Sequence, residues 1–451
     1  MPPMNRYQSS RPNSIHSRGI RRLNAIGCWS LLLTVITTTS VATSALAENW
    51  LQWRGADRAN RSGETGLFQT WGDDGPPLEW MAEGLGGGYA SVSVIGRGVF
   101  TTGNVDGKQS VVAINSDTGK VVWKQPITGN EPDHGYGGSR CTPTIDGDRL
   151  YAVSSDGRVV CLNIRDGSPK WSRDFKDWNG KMMSGWGFSE SPLVDGDAVI
   201  CTPGGDRGVV VALNKMTGEE LWAAVLNGTA VDQGGPDLKQ GAGYASPVIS
   251  NGGGVKQYIQ LVGRGLIGIR ATDGEVLWRY ARVGNTTANI PTAIVDGDYV
   301  FTSTGYNTGS ALLKLTSTQG GVSAEEVYWL EGRELQNKHG GMTLVDGYIY
   351  CGHGNGDGKP ICIEMKTGEA AWGPVRAEGS GETSLIYADG HILYRRQDGT
   401  LILTEATPKE FKVVSVFKPA FQERESWAHP VIANGKLYLR EQDKLMCYQL
   451  K

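Results

Sequence analysis

The chain has 451 residues, 64 of them glycine, and a formal net charge of −3 at pH 7. A mildly acidic chain with no run of basic residues excludes nucleic acid as a partner, because backbone phosphates are held by clustered Lys and Arg. So much glycine, without long helical periodicity, points to an all-β chain of short strands and turns.

Residues 1–47 read as a signal peptide. Arg6, Arg11, Arg18, Arg21 and Arg22 occur without an acid, an apolar stretch follows, and Ala45-Leu46-Ala47 ends it. Threonine and serine dilute the apolar stretch, which falls short of the ~20 residues a membrane span needs. Cleavage after Ala47 is therefore expected, with export to the periplasm or cell envelope and no transmembrane segment in the mature chain. Residues 48–76, containing NWLQWRGADRANRSGETGLFQTW, are expected to pack Trp50 or Trp53 onto the domain that follows.

From residue 77 the chain repeats. Trp123, Trp171, Trp222, Trp278 and Trp372 each fall four residues after a turn glycine: Gly119, Gly167, Gly218, Gly274 and Gly368. Ten residues before each tryptophan sits a small residue: Ala113, Cys161, Ala212, Gly268 or Cys362. That slot accounts for two cysteines without chemistry, since a thiol is small and apolar. No pair of cysteines has C-x-x-C spacing, which leaves zinc and haem-attachment readings unsupported. Trp329 reads as a sixth copy with a stretched turn, and Phe417 as a seventh that has lost its tryptophan.

A second ladder marks apolar hairpins such as TPTIDGDRLYAV, SPLVDGDAVICT and PVIANGKLYLR. Their turn glycines run from Gly96 to Gly435 at intervals of roughly 45 to 55 residues, a period that means four-stranded propeller blades. Eight copies predict an eight-bladed β-propeller over residues 77–451. The last copy stops after its third strand, while an unassigned strand with Trp80 lies near residue 78. That N-terminal strand is expected to close the C-terminal blade and remove the open edges of the ring.

A small residue, then T/D-G, then tryptophan, in AINSDTGKVVW, ALNKMTGEELW and CIEMKTGEAAW, resembles the repeat of the quinoprotein alcohol dehydrogenase-like propellers. The resemblance covers nearly all of the chain after residue 47. It implies one of two activities. One branch binds pyrroloquinoline quinone (PQQ) and calcium in the funnel of the ring and oxidises alcohols or sugars. The other, similar to the outer-membrane assembly factor BamB, has no cofactor and acts through protein partners at the envelope. The chain lacks the adjacent cysteine pair, the C-x-x-C-H haem motif and the long insertions of the enzymes. A non-catalytic scaffold or binding protein is therefore the expectation, with a PQQ- and calcium-dependent dehydrogenase as the alternative.

A ligand, if taken, belongs where segments enter the innermost strands, including GLGGGYAS, DHGYGGSRCTP, SGWGFSESP, GAGYASP, NTTANIPT and QNKHGGMT. These place Arg140, Trp186, Tyr244, Lys338 and His339 on the funnel rim as candidate cofactor or small-molecule contacts. His134, Glu382, His429, Tyr89, Tyr136 and Trp427 accompany them. Glu190 and Asn289 are the candidate calcium ligands, since calcium takes oxygen donors. A partner surface is expected at the loops over residues 178–188 and 227–243, with Met182, Met183 and Trp186 exposed.

Overall fold

The computed structural model describes residues 49–67, 70–72, 74–229 and 238–451. The leader expected over residues 1–47 and the middle of the 227–243 loop lie outside the described residues.

Eight four-stranded antiparallel sheets form an eight-bladed β-propeller. Blades 1 to 7 span 93–126, 144–174, 193–224, 248–280, 294–331, 342–372 and 383–417. Blade 8 joins three strands over 431–449 to the N-terminal strand Leu78–Ala82, which pairs antiparallel with Lys444–Gln449 and sets Trp80 opposite Cys447. The ring is thus closed by its two chain ends, as the missing fourth strand of the last repeat required.

The repeat pattern has a direct structural cause. Each small residue lies straight across the ladder from its tryptophan: Ala113 from Trp123, Cys161 from Trp171, Ala212 from Trp222 and Cys362 from Trp372. The indoles of Trp80, Trp123, Trp171 and Trp222 then lean on the turn glycine of the next blade, Trp372 docks on a turn without glycine through Thr407 O, and Trp278 bonds Gln257 of its own blade and leaves Leu277 against Gly321. A Cβ on Gly167 would stand 2.7 Å from the Trp123 ring, and one on Gly218 2.7 Å from Trp171. The indole N–H donates to a carbonyl of that same turn, Trp123 to Ile164 and Trp171 to Lys215. All six cysteines among the described residues are free and buried.

Besides the Trp278 copy, two further copies depart from the sequence reading. In blade 5 Tyr328, not Trp329, docks onto the next blade: its hydroxyl donates to Met365 O, and its ring lies 3.0 Å from where a Gly368 Cβ would be. A register shift between Leu312 and Leu313 moves the docking position back one residue and leaves Trp329 under Arg282, 4.3 Å from its ring centroid. In blade 7 Ser415, opposite Leu403 at the shift, stands where the tryptophan would be, and Phe417 is two residues further on. There Trp71 of the N-terminal segment donates its backbone N–H to Ser415 Oγ and meets Phe417 edge-on at 5.4 Å.

The N-terminal segment does more than rest on the ring. Trp50 is fully buried and exchanges backbone hydrogen bonds with Val94 of blade 1. Gly55, at φ 88°, turns the chain against the Trp50 ring, where a Cβ would come within 2.9 Å. The next residues cross the ring axis. Arg54 donates to the carbonyls of Thr292 and Met342, and Arg58 to those of Ser191, Pro192 and Pro247. Asn60 donates to Met342 O and exchanges backbone bonds that reach Tyr387 of blade 7. One short stretch therefore satisfies carbonyls from five innermost segments and plugs one end of the channel.

Candidate functional site

A collar of hydroxyls surrounds the axis above this plug. The backbone N–H of Ser91 donates to Thr142 Oγ1, that of Thr142 to Ser191 Oγ, that of Ser191 to Ser246 Oγ, and that of Ser246 to Thr292 Oγ1, at 2.9–3.2 Å. Ser91 Oγ donates to His429 O and links blade 1 to blade 8. Each hydroxyl ties one blade to the next, which explains why small polar residues recur at this position around the ring.

Above the collar opens a cavity of about 390 Å³. Its floor includes Trp53 from the plug, whose ring lies 4.5 Å from that of His429. Plug and collar make the funnel blind, open at one end only. The walls are aromatic. Trp427 is the hub of one side, 4.9 Å from Tyr89, 5.0 Å from Tyr136 and 4.6 Å from His339. Trp186 and Tyr244, 5.9 Å apart, form another wall, and Tyr306 lines the mouth beside Lys338.

The charges are sparse and of one sign. Arg140 donates to the carbonyls of Trp186, Gly135 and Tyr136 and lies 5.6 Å from the Tyr89 ring centroid, with no carboxylate partner. Burial draws its pKa below the usual guanidinium range. Lys338 is 3.6 Å from Glu382, which sits behind the wall and is itself buried. His339 and His429 are held neutral, each with its pKa pushed down to about 3, chiefly by burial. His339 Nδ1 is buried without a hydrogen-bond partner. No carboxylate is among the cavity-lining residues.

All five residues read from sequence as rim contacts, Arg140, Trp186, Tyr244, Lys338 and His339, do line this one cavity, together with Tyr89, Tyr136, Trp427 and His429. The two candidate calcium ligands do not. An extended chain alternates its faces. Ser189 and Ser191 line the cavity, so Glu190 between them turns into the blade. There it is 2% exposed and accepts from Thr202 N, while its other oxygen has no partner. Ala288 and Ile290 line the cavity, so Asn289 turns inward in the same way, and its amide bonds the carbonyl of Val262 and the backbone N–H of Asn285. His134 bonds Ser155 and is not a lining residue.

The loop over 178–188 is likewise not a methionine surface. Met183 is buried and Met182 packs on the core, because the loop is stitched to Ala242 by backbone bonds. Sequence reasoning missed Trp53 and Tyr306 as lining residues and Arg54 and Arg58 as the plug. The two tryptophans of WLQWRG were a signal for the first. Nothing local distinguishes Arg54 and Arg58 from solvated arginines.

Does this set fit the cofactor pair of the dehydrogenase branch? The aromatic walls and Arg140 suit a flat anion. The donor set does not suit calcium, because the lining offers hydroxyls, imidazoles and cations but no carboxylate. No group of three or more His, Cys, Asp or Glu converges among the described residues.

A blind funnel in an eight-bladed ring whose blades dock tryptophans onto their neighbours defines the class of PQQ-like repeat propellers. Residues 107–374, more than half of the chain, match the family described as outer membrane protein assembly factor BamB, and the chain belongs to that family. A 129-residue stretch is 32% identical to BamB of Shewanella oneidensis, covering 28% of this chain and 29% of that relative's length. The chain thus matches less than a third of that relative's length. The crystal structure of BamB from Moraxella catarrhalis is similar at TM-score 0.56 and 15% identity, over 80% of this chain and 94% of that one. The quinohemoprotein alcohol dehydrogenase of Comamonas testosteroni is similar at TM-score 0.64 and 13% identity, over 89% of this chain and 80% of that one. At such identities both structures speak for the fold alone. No helix among the described residues is long and apolar enough to cross a membrane.

Proposed function

We propose that this chain is an exported, non-catalytic binding protein of the cell envelope that holds a partner in its blind funnel. The observation that carries the reading is the composition of the cavity wall. Aromatic faces and an uncompensated Arg140 suit capture of a ligand, while the wall offers no carboxylate donor for calcium. Membership of the BamB family supports a protein as the partner. Fold alone does not decide between scaffold and enzyme, so the site must.

The test has two arms. A photo-reactive residue placed at Tyr136, at the cavity mouth, should crosslink envelope proteins in the native cell. The same purified chain, titrated with PQQ and calcium, should show neither saturable binding of the pair nor dye-linked alcohol oxidation. Alcohol oxidation on reconstitution would overturn the reading.

A further inference from the structure

The cavity does not end at its mouth. Tyr89 and Tyr136 also line a shallow groove that runs outward past blades 7 and 8, with Asp398, Glu423 and Glu425 on its walls. The two compartments have opposite electrostatic character. In the funnel Arg140 has only carbonyls for partners. In the groove Lys418 offsets Asp398 at 3.7 Å, Glu425 accepts the Tyr89 hydroxyl at 3.4 Å, and neither Glu423 nor Glu425 has an ion-pair partner among the described residues. Carboxylates are in excess there.

The join between the compartments is strained. Tyr136 and Tyr306 are the bulky aromatic residues with left-handed backbone, at φ 53° and 59°, and both line the cavity. Such conformations cost of order 1–3 kcal/mol each and persist where surrounding structure imposes them, often at ligand clamps. Tyr136 is half exposed and packs its ring, tilted by 60°, against Trp427 where cavity and groove meet.

From this geometry we infer that the occupant is the carboxyl-terminal end of a polypeptide, its free carboxylate and an aromatic last side chain in the funnel and a basic residue upstream in the groove. The inference rests on the binding-protein reading above and names its partner. An elongated ligand with an anionic, apolar tip and a cationic body matches both compartments, and a chain end carries that pattern. The carboxylate supplies the counter-charge that Arg140 lacks, in surroundings where a charge-assisted bond is strong. The aromatic side chain joins Trp427 and Tyr89, and 390 Å³ holds one large residue with its own terminal carboxylate. A small aromatic acid would fill the funnel and leave the groove unused.

The test is a calorimetric titration of the purified full chain, with tryptophan fluorescence as a second readout because Trp53, Trp186 and Trp427 line the cavity. Three probes are compared: acetyl-Lys-Ser-Ala-Phe with a free carboxyl end, the same peptide as its amide, and acetyl-Glu-Ser-Ala-Phe. The free acid should bind at least tenfold more tightly than the amide, and the lysine peptide severalfold more tightly than the glutamate one. Glu423→Gln with Glu425→Gln should erase the second preference and leave the first. Arg140→Gln should erase the first, and the amide comparison on the unaltered chain keeps the test valid if that variant misfolds. Equal binding of acid and amide overturns the inference, as does binding of N-acetylphenylalanine as tight as that of the peptide, which would mean a small anion site. If no peptide binds while crosslinks from Tyr136 persist, the chain-end inference falls and the binding-protein reading stands.

Discussion

The two ends of the central channel use the same residue types to opposite effect. At the plugged end Arg54 and Arg58 are almost wholly buried, and their terminal nitrogens donate to five carbonyls from blades 3 to 6 and the segments entering them. At the open end Arg140, also bonded to carbonyls, keeps a face on an aromatic cavity that offers no carboxylate. The lesson concerns satisfaction rather than charge. A buried guanidinium that bonds backbone oxygens from several blades is a rivet. One that faces an empty aromatic wall is poised for a ligand.

The comparison is broken most severely by Arg58→Ala. Three buried carbonyls would lose their donor, at roughly 1–3 kcal/mol each before relaxation. A loss of about 4 kcal/mol in urea unfolding is expected, together with a lower Tm. An unchanged midpoint would show that the plug does not hold the ring.

Glu190 gives the next effect, because it lies against the plug. Burial raises its carboxyl to about 7, against the backbone bond from Thr202 and the charge of Arg58, with Cys141 and Cys201 also close. The folded form therefore holds a proton that the unfolded chain releases above about pH 4.5. Its contribution to stability is full below that pH and is lost as pH rises through about 7. Glu190→Gln should flatten this loss, so that the variant gains on the parent between pH 5 and 8, by up to about 3 kcal/mol if the full shift is realised. His339 and His429 act with the opposite sign. Their folded values near 3 lie below the ordinary 6.5, so stability falls as pH drops from 6.5 toward 3 in both proteins. Parallel pH profiles for parent and Glu190→Gln would refute the assignment.

At the open end stability should hardly respond while binding does. Trp427→Ala removes the ring against which Tyr89, Tyr136 and His339 stack, and should weaken any funnel ligand by more than tenfold. The smallest effect is expected at Tyr136→Gly. Relief of the left-handed strain, about 1 kcal/mol, offsets the lost stacking and the flexibility of glycine. Unfolding should shift by less than about 1 kcal/mol, with peptide affinity still reduced. A large destabilisation there would make Tyr136 a structural residue rather than part of a binding surface.

Much of this molecule was legible in one dimension. The tryptophan ladder gave the blades, because a small residue lies straight across from each indole and a glycine turn of constant length joins the two. The truncated last repeat and the orphan strand around Trp80 gave the closure. The recurring GYAS segments, at Tyr89 and Tyr244, marked the funnel: their tyrosines line it, and Ser91 and Ser246 belong to the collar. Glu190 and Asn289 were misread because composition near the axis says which segments arrive there, not which face each residue presents. Alternation along the extended chain sends one neighbour to the cavity and the next into the blade. Trp329 was misread because a ladder shift moves the docking position back by one residue without leaving a mark on composition, and Phe417 because the docking position there is Ser415, two residues earlier.

What the sequence determined, then, is everything set by local period: strand, turn, docking residue, blade count and the segments that ring the axis. What tertiary structure alone decided is whatever depends on meeting residues hundreds of positions away. Arg54 and Arg58 become a plug only because carbonyls from blades 3 to 6 converge on the axis, and Arg140 stays without a carboxylate partner among the described residues only because none lines its cavity. Neither arrangement is written in the neighbours of those arginines along the chain.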